Sequence, residues 1–272
     1  MGKALVINGL QVTNPLTVVT ISSTPAEAAL KKYLLANKTI NNTEKEALYK
    51  FVESMIKVNL WDKFSYFYPL LGSTVDDMLL DVVDTEHEDI FVNDAKTGLS
   101  VSNRILIANN RQEAHVTVGA RAALLDKSKI GFICAGKSDS DIGGGQAFNF
   151  NHGSGVTSGI DIVANSGYKM PKYKNGTTVS NEAPYVGHLD RVIFGTTVNG
   201  QGYLYDKDIL QANTAVTPPS NPPQETFGAL MNYRSADYKY NFFAITEGMT
   251  TEDWAALYPL LLTFLQSVGK HD

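Results

Sequence analysis

At 272 residues, with 43% hydrophobic and only 19% charged positions, the chain is too apolar for a disordered polypeptide and too lightly charged for a long coiled coil. Its 23 basic and 28 acidic residues give a net charge of -5, the opposite of the basic excess that grips nucleic acid or anionic membrane. A single cysteine, Cys134, excludes an intrachain disulfide and a multi-thiolate metal site, so stability must come from burial.

A length of this order suits one large domain carrying a smaller element. Met1–Asn8 lacks the apolar stretch and cleavage site of a signal peptide, and no run approaches the roughly 18 apolar residues of a spanning helix. Synthesis in a cytoplasm without membrane insertion is the expectation.

The chain opens on Ala4-Leu5-Val6-Ile7 and Leu16–Ile21, two β-branched runs about Asn14-Pro15, which predict a small β arm over residues 1–24. Thr24-Pro25-Ala26-Glu27 then carries a capping residue, a proline suited to the first helical position and the glutamate that completes a capping box. Ala26, Ala29, Leu30, Tyr33 and Leu34 share the face of the helix that follows. Thr43-Glu44-Lys45-Glu46 predicts a second start, with Leu48, Phe51, Val52, Met55 and Ile56 at spacings of three and four. These two helices place a helical segment over residues 25–74.

From about residue 75 to 249 the chain changes regime. Short runs such as Arg104–Ile107, Lys129–Gly136, His115–Val118, Ala147–Phe150, Gly159–Val163, Arg191–Phe194 and Tyr240–Ile245 alternate with Gly- and Asn-rich turns. Cys134 falls inside one apolar run and reads as a buried strand residue. Asn175-Gly176 and Asn199-Gly200 supply the positive φ angles of tight hairpins. Many short strands without intervening helices predict a mainly β fold, an antiparallel sandwich. The proline-rich stretch 217–223 reads as an extended connection between strands. Residues 250–272 predict a C-terminal amphipathic helix, capped by Thr250 or Thr251, striped by Trp254, Leu257, Tyr258, Leu261, Leu262, Leu265 and Val268, and kinked at Pro259. Trp61 and Trp254 are expected to be buried where helices meet sandwich.

Catalytic signatures are absent from the sequence: there is no phosphate-cradling loop, no His-Glu-x-x-His and no nucleophile elbow. Gly153–Gly159 has the wrong glycine spacing for dinucleotide binding and precedes a strand. His87, among the carboxylates of Asp84–Asp89, reads as a solvated acidic turn, and Ser138–Gly145 lacks the downstream acidic ligand of an EF-hand loop. Neither metal nor cofactor is assigned. Glycoside hydrolysis on a sandwich needs two facing carboxylates, and no Glu-x-Asp-x-x-Glu strand supplies them. Tyr203-Leu204-Tyr205 and Tyr238-Lys239-Tyr240 each set two rings on one strand face, for sugar stacking or cross-strand packing.

Two blocks carry a resemblance. Leu60–Thr74, reading LWDKFSYFYPLLGST, and Phe242–Thr250 leading into a helix with Leu257-Tyr258, are similar to structural proteins of tailed bacteriophages and prophages of Bacteroidetes. In that family a like segment joins a helical start to a concanavalin-like, laminin-G-like sandwich or jelly roll. After Thr74 the chain departs from the family, with Val75–Val83 replacing its usual continuation.

The resemblance implies a non-enzymatic virion component, such as a tail, neck or head fibre or a receptor-binding protein. It also implies other virion proteins and bacterial surface glycans as partners, and a homo-oligomer, by analogy a trimer. Glycan contacts are expected in the glycine-rich loops 138–146 and 151–159, through Asp139, Asp141, Asn149, Asn151 and His152, whose polar groups suit sugar hydroxyls. A depolymerase on the same fold and a purely architectural adaptor are the alternatives.

Overall fold

A computed structural model describes residues 5–7, 10–13, 17–20, 24–85, 99–108, 113–116, 124–138, 146–151, 157–161, 171–180, 191–221, 228–232 and 238–271. The fold is mainly antiparallel β, in two large sheets with a helical layer. The N-terminal arm is a three-stranded meander of β1 (Leu5–Ile7), β2 (Leu10–Thr13) and β3 (Thr17–Thr20), one strand more than predicted. The added strand is β2, which pairs with both neighbours.

Helix α1 (Pro25–Ala36) begins as predicted, with Thr24 and Glu27 exchanging capping hydrogen bonds. Helix α2 (Asn42–Lys57) corrects the predicted start at Thr43. Asn41 is the cap, its carboxamide oxygen accepting the Glu44 N–H at 2.9 Å while Glu44 receives the Asn41 N–H at 3.0 Å. Asn41 caps the Glu44 N–H, two residues before the Glu46 N–H that a Thr43 cap would take, so Thr43 falls inside the first turn.

A turn of 3₁₀ helix at Trp61–Lys63 leads into β4 (Phe64–Tyr68), a strand inside the segment read as helical. The short helix α3 (Val75–Met78) follows. The remaining strands are β5 (Leu99–Ser102), β6 (Ile105–Ala108), β7 (Glu113–Val116), β8 (Ile130–Ser138), β9 (Gln146–Asn151), β10 (Thr157–Asp161), β11 (Lys172–Asn175) and β12 (Thr177–Ser180). After these come β13 (Arg191–Val198), β14 (Gln201–Asp206), β15 (Ile209–Ala215), β16 (Gly228–Asn232) and β17 (Tyr238–Glu247). Helix α4 (Thr251–Ser267) closes the chain, capped by Thr250 and Asp253 and continuing through Pro259.

One sheet runs β12-β11-β10-β9-β16-β7, the other β15-β14-β13-β8-β17-β6-β5. Strand β4 lies on the same edge of β17 as β6, pairing with Phe243–Thr246 while β6 pairs with Tyr238–Tyr240. Strand β15 belongs to this larger sheet and β16 to the smaller, so the chain between them, described through residue 221, joins strands of the two sheets. Asn199 and Gly200, at φ 50° and 75°, make the β13–β14 turn. Tyr173 of β11 lies so close over β13 that a Cβ on Gly195 would stand 2.4 Å from its ring.

The larger sheet buries both faces. Along β8, Ile130, Phe132 and Cys134 face the smaller sheet, whereas Ile133 and Ala135 face the helices. Burial pushes the Cys134 thiol far above its ordinary range, as a packing residue requires. On β17 Tyr240, Phe243 and Ile245 enter the inter-sheet core while Phe242 and Ala244 join the helical one, a bulge between Tyr240 and Phe242 shifting the phase. Phe51 of α2 stacks on Phe264 of α4 at 4.9 Å and meets Phe242 edge-on. Both tryptophans sit in this layer, Trp61 at 8% exposure beside Phe67 and Trp254 at 1%, stacked 4.6 Å over Phe194. Among the described residues no helix is long and apolar enough to cross a membrane.

Where the helices meet the exit of β4, the interior is polar. Asn37 donates to the Leu71 carbonyl at 2.9 Å and accepts the Ile40 N–H at 2.9 Å. Burial would raise Asp77, but the Thr39 hydroxyl, the Lys38 N–H and the Thr74 hydroxyl together hold it below its usual value. Glu44 forms a forked pair with Arg104. Lys270, 4% exposed at the end of the chain, donates its ammonium to the Leu70 carbonyl. Burial pulls it from 10.5 down to about 7, with Glu44 opposing and Arg104 adding to the shift.

Replacing Trp61 by Ala should lower the unfolding free energy by about 3 to 5 kcal/mol in a urea titration followed by circular dichroism; an unchanged midpoint would remove Trp61 from the core. The unfolded chain keeps the Lys270 proton up to about 10.5 and the folded chain only up to about 7, so this group makes stability rise with pH across that interval. Lys270→Met should flatten that rise by up to ~1.4 kcal/mol per pH unit in denaturant titrations at successive pH values, and equal slopes would contradict the assignment.

Candidate functional site

The hairpin of β14 and β15 forms one edge of the larger sheet, with its turn against the start of α4. In β14 the period of two sends Leu204 into the inter-sheet core and Tyr205 to the opposite, helical face. The turn at Lys207-Asp208 is pinned twice. Lys207, at φ 60°, donates its N–H to the Val192 carbonyl at 2.7 Å and accepts the Trp254 indole N–H at 2.8 Å. Trp254 therefore holds the turn against α4 while its ring packs on Phe194.

Between turn and helix lies a groove of about 600 Å³. Tyr205 and Asp208 line it from the hairpin, and Thr251, Trp254, Tyr258, Pro259 and Leu262 from the helix. The Tyr258 ring stands 5.5 Å from Trp254, tilted by 46°. Leu210, opposite Tyr205 on β15, and Ile209, opposite Asp206, are exposed apolar residues of the same hairpin, at 46% and 62% exposure.

The groove is electrically negative at its rim. Partial burial raises the Tyr258 hydroxyl, helped by Asp208 and Asp206. Burial and Glu252 likewise raise Tyr205, against a lowering hydrogen bond with Thr251. Asp206 is paired with Arg191, yet burial lifts its proton affinity further than Arg191 and Lys207 lower it. Of the carboxylates, Asp208 belongs to the lining while Asp206 is engaged behind it. An aromatic surface with one carboxylate and one hydroxyl can bind a ligand by stacking and hydrogen bonding.

Of the expected glycan residues, two are described. Asp139, Asp141 and His152 lie outside the described residues, as do His87 and most of the Ser138–Gly145 loop. Asn149 and Asn151 sit at alternate positions of β9, on one face of the smaller sheet, registered with Gly159 and Thr157 of β10. The groove is on the other sheet. Of the tyrosine pairs, Tyr203-Leu204-Tyr205 contributes Tyr205 to it, whereas Tyr240 is completely buried and offers no stacking surface. Among the described residues no group of three or more His, Cys, Asp or Glu side chains could hold a metal.

No protein-family model and no curated protein matches the chain. Among solved structures, the binding domain of Paraclostridial Mosquitocidal Protein 1 is similar over 75% of this chain and 53% of its own, at 10% identity and a TM-score of 0.53, which shows a shared fold. Trypanosoma rangeli sialidase in complex with sialic acid aligns at 12% identity and a TM-score of 0.48, over 74% of this chain. The chain spans 32% of the sialidase's length. Domain 4 of AbnA, a GH43 extracellular arabinanase from Geobacillus stearothermophilus, in complex with arabinotriose, aligns at 14% identity and a TM-score of 0.47, over 72% of this chain and 98% of that domain.

The Arg191–Asp206 pair anchors the hairpin that carries half of the groove. Asp206→Ala should lower stability by about 3 kcal/mol, read as a shift in the urea midpoint, because it leaves a buried guanidinium without its carboxylate. A change below about 0.5 kcal/mol would show the pair to be effectively solvated.

Proposed function

We propose that this chain is a non-enzymatic, glycan-binding sandwich module of a tailed-bacteriophage particle. The observation that carries the binding role is the groove between the β14–β15 turn and α4, with half-buried Tyr205 and Tyr258 beside Asp208 and Thr251. The apolar C–H face of a sugar ring stacks on a tyrosine, and its hydroxyls bond to a carboxylate or hydroxyl at the rim. Because Trp254 fixes the turn to the helix, these groups are held in place before a ligand arrives.

A non-catalytic role is supported by the lining, to which Asp208 contributes the carboxylate while Glu252 stands outside it on the rim. The virion role rests on the resemblance of Leu60–Thr74 and Phe242–Tyr258 to phage structural proteins. As a particle component the chain would act as a homo-oligomer, which multiplies weak sugar contacts into firm attachment. Asp139, Asp141, Asn149, Asn151 and His152 remain a second candidate glycan-binding set, of which Asn149 and Asn151 belong to β9 of the smaller sheet. The toxin module of similar fold is likewise named a binding domain.

The purified protein should be retained on surface polysaccharide of a host bacterium without releasing reducing ends over time. Tyr205→Ala with Tyr258→Ala should weaken retention about tenfold or more while the melting temperature stays close to wild type. Undiminished retention would move the site away from the groove, and release of reducing ends would make the chain a depolymerase. Absence of the chain from purified particles would overturn the virion role.

A further inference from the structure

We propose that the ligand of this groove carries a positive charge, an ammonium group presented either by an amino sugar or by a choline substituent of a surface glycan. The inference rests on the groove as the binding site and adds the chemical class of what enters it. Tyr205 and Tyr258 contribute two partly exposed aromatic rings to one concavity above the buried Trp254, and the negative faces of such rings attract an alkylated or primary ammonium. Trp254, at 1% exposure, forms the floor, and the two tyrosines form walls of mixed exposure.

The neighbouring charges favour the same occupant. Those adjoining the groove along the hairpin and α4 are Asp206, Lys207, Asp208, Glu252 and Asp253. Asp206 is paired with Arg191, and Asp253 with Lys63. That leaves Lys207 against Asp208 and Glu252, a net negative rim. Burial raises the hydroxyls of both groove tyrosines, and Asp206 and Asp208 at Tyr258 and Glu252 at Tyr205 act in the same direction. An incoming carboxylate, as on sialic or uronic acids, would meet Asp208 and Glu252, while the buried guanidinium that could have received it is engaged by Asp206.

The test is a titration of the full chain with free probes, followed by nuclear magnetic resonance shifts of Tyr205, Trp254 and Tyr258. Choline is compared with neohexyl alcohol, its uncharged carbon isostere, and glucosamine at mildly acidic pH with N-acetylglucosamine; N-acetylneuraminic acid serves as the anionic probe. At least one charged probe should bind about tenfold or more tightly than its uncharged counterpart, and whichever pair shows the gap identifies choline or amino sugar as the source. Asp208→Asn should close the gap and Asp208→Glu should retain it, both at wild-type melting temperature.

Equal binding of charged and uncharged probes would overturn the charge selection and leave the groove as a glycan site. Tighter binding of N-acetylneuraminic acid would do the same. If no probe moves the three aromatic resonances while the protein is still retained on polysaccharide through another surface, the groove reading falls together with this inference.

Discussion

The structure depends on a sheet that must be covered on both sides. Strands β4, β8, β13 and β17 alternate apolar residues between two cores, so neither the smaller sheet nor the helices alone could shield them from water. The helical layer is therefore a structural requirement. A one-residue slip would exchange the two faces, sending Phe132 and Cys134 toward the helices and Ile133 toward the sandwich interior. The bulge in β17 is tolerated because it sits at Asn241, whose carboxamide donates to the Lys270 carbonyl. The extra residue is thereby given a partner, and the strand resumes its alternation in the phase that Phe242 and Phe243 need.

Two helical pieces far apart in the chain are pulled onto this sheet, and the polar interior beside β4 sets their registration. Apolar contacts such as Phe51 on Phe264 are permissive of small rotations, whereas hydrogen bonds and a forked ion pair are not. Asn37 and Lys270, from the end of α1 and the C-terminal residues, donate to the Leu71 and Leu70 carbonyls after β4, while Asp77 of α3 accepts the Lys38 N–H and Glu44 of α2 pairs with Arg104 of the β5–β6 turn. Removing water from so many polar groups is unfavourable unless each finds a partner. Their network is complete only when the helices, β4 and the C-terminal residues are all in place.

Much of this was legible in the sequence because local chemistry and periodicity agree there. Thr24 with Glu27 and Thr250 with Asp253 mark their helices, and Asn199-Gly200 marks its hairpin. Strand β4 escaped for a physical reason. Phe64-Ser65-Tyr66-Phe67-Tyr68 is buried on both faces, so it shows no alternation of polar and apolar residues. The α2 start was read two residues late because Asn41 and Thr43 both offer a cap with acidic residues behind them, and the geometry selects Asn41 with Glu44. The groove is harder still. Its walls come from residues 205 to 208 and 251 to 262, and each wall taken alone has the pattern of ordinary core packing. Only Tyr205 is signalled, through its spacing with Tyr203.

The placement of the groove follows from the work Trp254 does for the fold. Its ring fills the gap over Phe194 and its indole N–H secures the hairpin turn, so the floor of the site cannot be altered without loosening the helix from the sheet. Tyr205, Asp208 and Tyr258 are under a weaker constraint, being partly solvated and outside the centres of both cores. A site built this way has a fixed base and replaceable walls. Substitutions at the walls can change the shape and charge of the groove while Trp254 continues to hold the scaffold, because the wall residues are not the ones that fasten turn to helix.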